Sequence, residues 1–229
     1  MQPSPWVFAV VDEILRPRCS GCNKVSLLSD RRLALCNACC SELQLELLHL
    51  PMLGIAARFS CAKYLGPIPT LLSHAKNMPY SGSYFVLEQI FAMMAADLFE
   101  HQSSSQKLVF TVVPPSIQRV MSGWYLPASL AFSLAKRFRG RYSGLLKRSK
   151  NVPKQASLDA VQRRTNLANC FIPQKKLLRT NLADAHIVIV DDVSTTGASL
   201  AESWRCLETM GAKQITAISL AHAPLRGNC

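Results

Sequence analysis

The stretch HIVIVDDVSTTGASL, residues 186–200, carries an apolar run into two adjacent carboxylates and then through Ser-Thr-Thr-Gly into an expected helix. That order puts acids and hydroxyls at the carboxyl end of a strand, where the loops of an open α/β sheet surround a crevice and the next helix presents unpaired amides. Ser194, Thr195, Thr196, Gly197 and Ala198 are suited to wrap a phosphate with backbone N–H groups and hydroxyls, helped by the helix dipole. Asp191 and Asp192 cannot hold that phosphate. Their carboxylates suit the vicinal hydroxyls of a ribose, or a place beside a magnesium-bound diphosphate. A bare DDxxTT is also the pattern of an aspartate cap and a surface turn. The strand before it and the helix after it favour a sugar-phosphate site.

A second cluster lies near the amino terminus. CSGC at 19–22 and CNACC at 36–40 set Cys19 and Cys22 opposite Cys36 and Cys39 across thirteen intervening residues. Each CxxC brings two thiolates to one ion from a tight turn, and two such knuckles complete a tetrahedral zinc site. A short stretch without a core of its own folds around such an ion. Cys40 competes with Cys39 for the fourth position, and the regular spacing favours Cys39. Four sulfurs leave no position open for substrate, so the expected zinc is structural.

These groups need a scaffold. LVFTVV at 108–113 reads as a strand covered on both faces and ended by Pro114-Pro115, and Ser83–Glu100 as a buried helix capped by Ser83. A further helix is expected over Pro127–Phe138. Then come a strand at 187–192, a helix over Gly197–Met210 and a strand at 214–221. Strand, helix and strand in that order predict a right-handed βαβ unit, hence an α/β fold with a parallel sheet. SELQLELLHL at 41–50 reads as a helix with Leu43, Leu47 and Leu50 on it, broken by Pro51 and Gly54. The domain boundary is therefore set near residue 55, with a small domain over 1–55 and the main one over 56–229. The polar, basic stretch 139–165 reads as the flexible part.

A chain of 229 residues that is 49% hydrophobic supports one core plus a small satellite. It has no apolar run of the roughly 18 residues that a membrane helix needs and no basic leader ahead of Asp12 and Glu13, so a soluble, cytoplasmic protein is expected. Lys plus Arg number 26 against 14 Asp plus Glu, a net charge of +12. From His101 to Leu158 there is no carboxylate, a positive field that attracts phosphate-rich ligands. Lys136, Arg137, Arg139 and Arg141 are the candidate contacts to a nucleic acid, with Trp124, Tyr125, Phe138 and Tyr142 as candidate stacking platforms for single-stranded DNA.

VIVDDVSTTGASL resembles the phosphoribosyl pyrophosphate (PRPP) signature of type I phosphoribosyltransferases. With the cysteine knuckle, KYLGPIPTLLSHAK at 63–76, VVPPSIQR at 112–119 and LLKRSKNVPKQASLDAVQRRTNLANCF at 145–171, most of the chain resembles the ComF/GntX family. That resemblance implies a type I phosphoribosyltransferase-like parallel sheet flanked by helices, behind a zinc-knuckle domain of double zinc ribbon type. It implies that Asp191 and Asp192 meet the ribose and serve catalysis, and that the turn Ser194–Ser199, with Ser199 at its end, holds the 5-phosphate. Pro114, Pro115, Ser116 and Arg119 would approach the diphosphate, and Lys150, Arg163 and Arg164 would lie on a flap over it. Where the family carries an Arg-Gly-Phe-Asn-Gln-like run, this chain reads VMSGWYLPASL at 120–130.

The implied function is a competence-associated PRPP-binding protein that handles imported single-stranded DNA in natural transformation, with magnesium brought in on PRPP. A competence helicase or DNA-processing protein is the implied partner. The alternative is an active metabolic phosphoribosyltransferase with a nucleobase or amine acceptor. No segment of the chain reads as the acceptor site.

Overall fold

The computed structural model describes residues 18–25, 28–30, 34–50, 55, 57–100, 107–149, 170–174 and 181–224. In chain order its elements are β1 (Leu28–Asp30), β2 (Leu35–Cys36), α1 (Asn37–Ser41), β3 (Leu45–His49), β4 (Arg58–Lys63), α2 (Ile68–Asn77) and α3 (Gly82–Phe99). There follow β5 (Lys107–Val112), α4 (Ile117–Met121), α5 (Leu126–Arg137), β6 (Arg141–Tyr142), β7 (Leu146–Arg148), β8 (Phe171–Pro173), β9 (Ala185–Ser194), α6 (Ala198–Thr209) and β10 (Gln214–His222). Two compact units account for the chain, one made of Met1–Gln44 with Leu65–Gln89 and the other of Leu45–Tyr64 with Ile90–Cys229.

In the larger unit six strands run in the order β3-β4-β10-β9-β5-β6. All neighbours are parallel except β3 and β4. The expected β9-α6-β10 crossover is present, and it sets β10 beside β9 over almost its whole length. Both faces of the sheet are covered. Ile187 and Ile189 of β9 share a buried cluster with Leu200, Trp204 and Leu207 of α6. On the opposite face Phe110 of β5 meets Phe99 of α3 edge to face at 5.8 Å. This explains why β5 and β9 are apolar without alternation: a strand sandwiched between helices has no wet face.

Three sequence readings need correction or closer placement. Residues 41–50 do not form a helix; Leu45–His49 is a strand paired antiparallel with β4. The leucines at 43, 45 and 47 alternate, and that period of two outweighs the leucine spacing chosen for a helix. The boundary drawn at residue 55 falls between these two paired strands, so as a division of modules it stays a proposal. Ser83 does not cap α3. Ser81 does, accepting the Tyr84 N–H at 3.3 Å, while the Ser83 hydroxyl donates to Ser20 O at 3.2 Å.

His186, at the start of β9, is buried with Nε2 2.8 Å from the Thr216 hydroxyl, and burial lowers its pKa from 6.5 to about 4. The unfolded chain therefore takes up this proton first. The contribution of neutral His186 is complete above about pH 6.5 and is lost as the pH falls toward 4. Thermal melting across that window is expected to show Tm falling by several degrees in the parent chain, with a shallower slope in His186→Phe. Parallel slopes would remove His186 from the acid response.

Candidate functional site

The acid pair lies where the sheet opens. β5 pairs with β9 only as far as Val190, with a last bond from Val113 N–H to Val190 O at 3.3 Å, whereas β10 follows β9 to Ser194. Asp191 and Asp192 are thus the first residues of β9 past the end of β5, and both are half-buried. Each Oδ1 accepts the next amide, Asp192 N–H at 2.9 Å and Val193 N–H at 2.7 Å, which fixes the carboxylates against the strand end.

The turn follows at once. Thr195 is exposed and Thr196 half-buried, and Thr196 Oγ1 accepts the Ala198 N–H at 3.3 Å. Gly197 takes φ 77° and ψ 5°, a left-handed conformation that glycine adopts without penalty, and α6 begins immediately after it. Among the described residues the N–H groups of Thr195, Thr196 and Gly197 reach no protein acceptor. Three amides ahead of the first turn of α6 are therefore left for another acceptor, which is what an anion cradle requires. Ser199 sits half-buried in that first turn.

Ser194 behaves differently from its neighbours. It is buried and accepts a bond from Arg58 Nη2, which also donates to Thr195 O at 3.3 Å. Arg58 is itself buried, and burial lowers its pKa. At the end of β10, Ser194 O is held by Ala223 N–H at 3.0 Å and by His222 Nδ1 at 3.0 Å. A carbonyl only accepts, so Nδ1 carries the proton.

The loop expected at the diphosphate leaves β5 beside the acids. Pro114 is buried, Pro115 and Ser116 are half-buried and Arg119 is exposed. Ser116 caps the single turn of α4, accepting Arg119 N–H at 3.4 Å. Tyr125 pins this loop from behind by donating to Val113 O at 2.8 Å. Burial raises the Tyr125 pKa, the charges of Asp191 and Asp192 raise it further, and Arg148 opposes them. Tyr125 is therefore a strut for this loop through its hydroxyl. Arg148, at the end of β7, lies over the Phe171 ring at 5.2 Å, and its buried Nε has no hydrogen-bond partner among the described residues. The flap residues Lys150, Arg163 and Arg164 lie outside the described residues, as does most of the 139–165 stretch. The strands on either side of the undescribed segment, β7 and β8, pair antiparallel.

In the smaller unit the ligand atoms of Cys19, Cys22, Cys36 and Cys39 all lie within 4.8 Å of one another. Sulfurs around a tetrahedral zinc sit about 3.8 Å apart, from Zn–S bonds of about 2.3 Å. Cys22 and Cys36 are already at 3.9 Å. The donor set fits zinc, and it contains Cys39 and not Cys40. Burial opposes ionisation of Cys19, but the amides of Cys36, Cys22 and Gly21 outweigh it and bring its pKa down to about 6. Gly21 is confined by the cluster: a Cβ there would come within 2.9 Å of Cys39 Sγ.

The basic residues form a separate surface. Lys136 and Arg137 end α5, Arg139 adopts φ 53°, and Arg141 opens the edge strand β6; all four are exposed. Arg139 and Arg141 join Lys107 around a cleft of about 430 Å³ at the amino edge of the sheet. Of the aromatic platforms read from the sequence, Phe138 packs against Phe99 at 5.5 Å. Phe132 of α5, six residues before Phe138, is 61% exposed and meets Tyr142 edge to face at 6.5 Å.

Sequence reasoning missed Arg58, His222, Tyr125 and Arg148 as neighbours of the crevice. The one signal that could have found any of them was positional, since His222 ends a strand of nearly the same length as β9. Among the described residues no helix is long and apolar enough to cross a membrane.

The chain has likenesses among known proteins. Residues 128–227, which run from α5 through β10 and include the acid pair and the turn, match the phosphoribosyl transferase domain model. Competence protein F of Haemophilus influenzae is 24% identical over 223 residues, covering 90% of each chain. Adenine phosphoribosyltransferase from Saccharomyces cerevisiae is 13% identical, covering 81% of this chain and 86% of that one with a TM-score of 0.41. The allosteric regulatory enzyme of purine biosynthesis is 17% identical, with a TM-score of 0.38 over 60% of this chain and only 26% of its own. Residues 128–227 thus match the phosphoribosyl transferase domain, in a chain similar over nine-tenths of its length to competence protein F.

Proposed function

We propose that this protein binds PRPP at the carboxyl edge of its sheet and acts in natural transformation by handling imported single-stranded DNA. One observation carries the ligand: two half-buried carboxylates stand next to a turn with three amides that reach no acceptor among the described residues, just where β5 has ended. In this reading the turn amides and the Thr195 and Thr196 hydroxyls take the 5-phosphate, and Asp191 and Asp192 accept from the ribose hydroxyls. The Pro114–Arg119 loop offers Arg119 to the diphosphate. Arg148, whose charge acts on Tyr125 together with those of Asp191 and Asp192, is a further cation for the same group.

Magnesium fits this setting, since the carboxylates are hard oxygen donors, and when carried on PRPP it would neutralise charge on the diphosphate. Calorimetric titration with PRPP and magnesium tests the reading directly, and absence of binding would remove it. The competing reading is an active transferase. It predicts magnesium-dependent pyrophosphate release with one acceptor from a panel of nucleobases and amines, whereas the binding reading predicts saturation without turnover.

DNA handling rests on the exposed cations at 136–141 and on the exposed Phe132 and half-buried Tyr142 beside them. Neutralising Lys136, Arg137, Arg139 and Arg141 is expected to weaken single-strand binding at least tenfold at low salt. The slope of log K against log salt should become shallower by roughly 0.7 for each DNA phosphate that the protein no longer neutralises. Fluorescence anisotropy at several salt concentrations measures both, and an unchanged slope would move the DNA surface elsewhere.

A further inference from the structure

We propose that Arg58 aims the anion cradle: from β4 it grips the Ser194–Thr195 junction and so turns the Thr196 amide toward the ligand. The inference rests on the PRPP reading of the site and adds a residue that lies outside the 128–227 domain match.

The geometry follows from the planarity of the peptide bond. In a trans peptide the C=O of one residue and the N–H of the next point in opposite directions. Ser194 O is held by Ala223 N–H and His222 Nδ1, both at 3.0 Å, so the Thr195 N–H is directed away from the end of β10. Thr195 O is held by Arg58 Nη2 at 3.3 Å, so the Thr196 N–H is directed away from Arg58. Two consecutive peptide planes, each free to rotate in an ordinary surface turn, are thus fixed by their carbonyls. The amides on the other side are the ones left without a protein acceptor among the described residues.

Arg58 suits this role better than a neutral donor would. Its Nη2 carries two N–H groups and reaches the Ser194 hydroxyl as well as Thr195 O, and the Ser194 side chain is thereby committed to the interior and withheld from the ligand. Its charge lies buried beneath a turn that receives a phosphate, where the field is screened less than at the surface. Arg58 touches no ligand in this arrangement and is a positioning residue.

The test separates the two ends of PRPP. Ribose 5-phosphate probes the cradle, and magnesium pyrophosphate probes the other end of the crevice. Calorimetry on the full chain is expected to show Arg58→Met binding ribose 5-phosphate about tenfold more weakly, with magnesium pyrophosphate within about twofold of the parent. Arg58→Lys, which keeps the charge and one donor direction, should recover part of the loss. Parent-like affinity for ribose 5-phosphate in Arg58→Met, or a proportionate loss of both ligands in a chain that still melts cooperatively, overturns the proposal. If Arg58→Met does not fold, Arg58→Lys decides by the ratio of the two affinities: a shift of about threefold against ribose 5-phosphate supports the aiming role, and an unchanged ratio overturns it. A parent chain that binds neither probe sinks the PRPP reading itself, which is a different result from a parent that binds and a variant that is unaffected.

Discussion

Asp191→Asn combined with Asp192→Asn is expected to lower magnesium-dependent affinity for PRPP by about 100-fold or more while leaving Tm within a few degrees of the parent. Each carboxylate is assigned one ribose hydroxyl, and a hydrogen bond to a charged group contributes about 1.5–3 kcal/mol. Two such bonds lost together reach at least the 100-fold level, since every 1.4 kcal/mol is a factor of ten. Stability should change little for a local reason. Both acids use Oδ1 to accept the following amide, at 2.9 and 2.7 Å, and asparagine keeps that oxygen. The double variant also removes two adjacent negative charges at the end of a strand. Calorimetry with PRPP and magnesium, beside a melting curve, checks both halves. Affinity retained within about threefold of the parent would mean that the carboxylates face a different ligand.

The second large effect concerns the cysteines. Exhaustive chelation, or Cys36→Ser, is expected to release one zinc per chain and to abolish the cooperative transition of the smaller unit. Four sulfurs already within 4.8 Å of one another need little rearrangement to bind the ion. Apparent zinc affinities of about 10–16 kcal/mol in small knuckles are folding energy for the segment that carries them. The larger unit has its own sheet and buried cluster, so its transition should persist. Cys40→Ser should keep the metal and Cys39→Ser should lose it, because only Cys39 lies in the four-sulfur cluster. Zinc released on thiol modification and counted with a chromogenic chelator distinguishes them. Equal zinc content in the two serine variants would contradict the assignment of Cys39.

Arg58 and the acid pair make different demands on the same titration, and the two variants should not resemble one another. Loss of the carboxylates weakens binding of any ribose that carries both hydroxyls. Loss of Arg58 weakens only ligands with a 5-phosphate. A set of three probes, ribose 5-phosphate, magnesium pyrophosphate and PRPP, therefore gives each part of the crevice its own signature.

Local chemistry determined a large part of this protein before any fold was known. The apolar run into Asp191, the hydroxyls of Thr195 and Thr196 and the glycine at 197 act over a few bonds, so the strand, the turn and the start of α6 can be read from neighbours alone. The same holds for the cysteine knuckles, whose spacing brings two thiols to one ion whatever surrounds them. The parallel β9-α6-β10 unit was legible because each strand carries a largely apolar run, 187–190 and 215–221, on either side of a 12-residue helix. The tertiary structure decided what depends on residues far apart in sequence. Arg58 and Ser194 meet across 136 positions because of strand order, and no local pattern marks an arginine at the head of β4 as a support for a turn. His222 reaches Ser194 because β10 and β9 pair in that register. Tyr125 ties its hydroxyl to Val113 O and Phe132 is left exposed because of how α5 docks on the sheet, which residues close in sequence do not announce. Leu45–His49 became a strand because an open edge of β4 was there to pair with it, a partner that the ten residues from Ser41 to Leu50 could not announce.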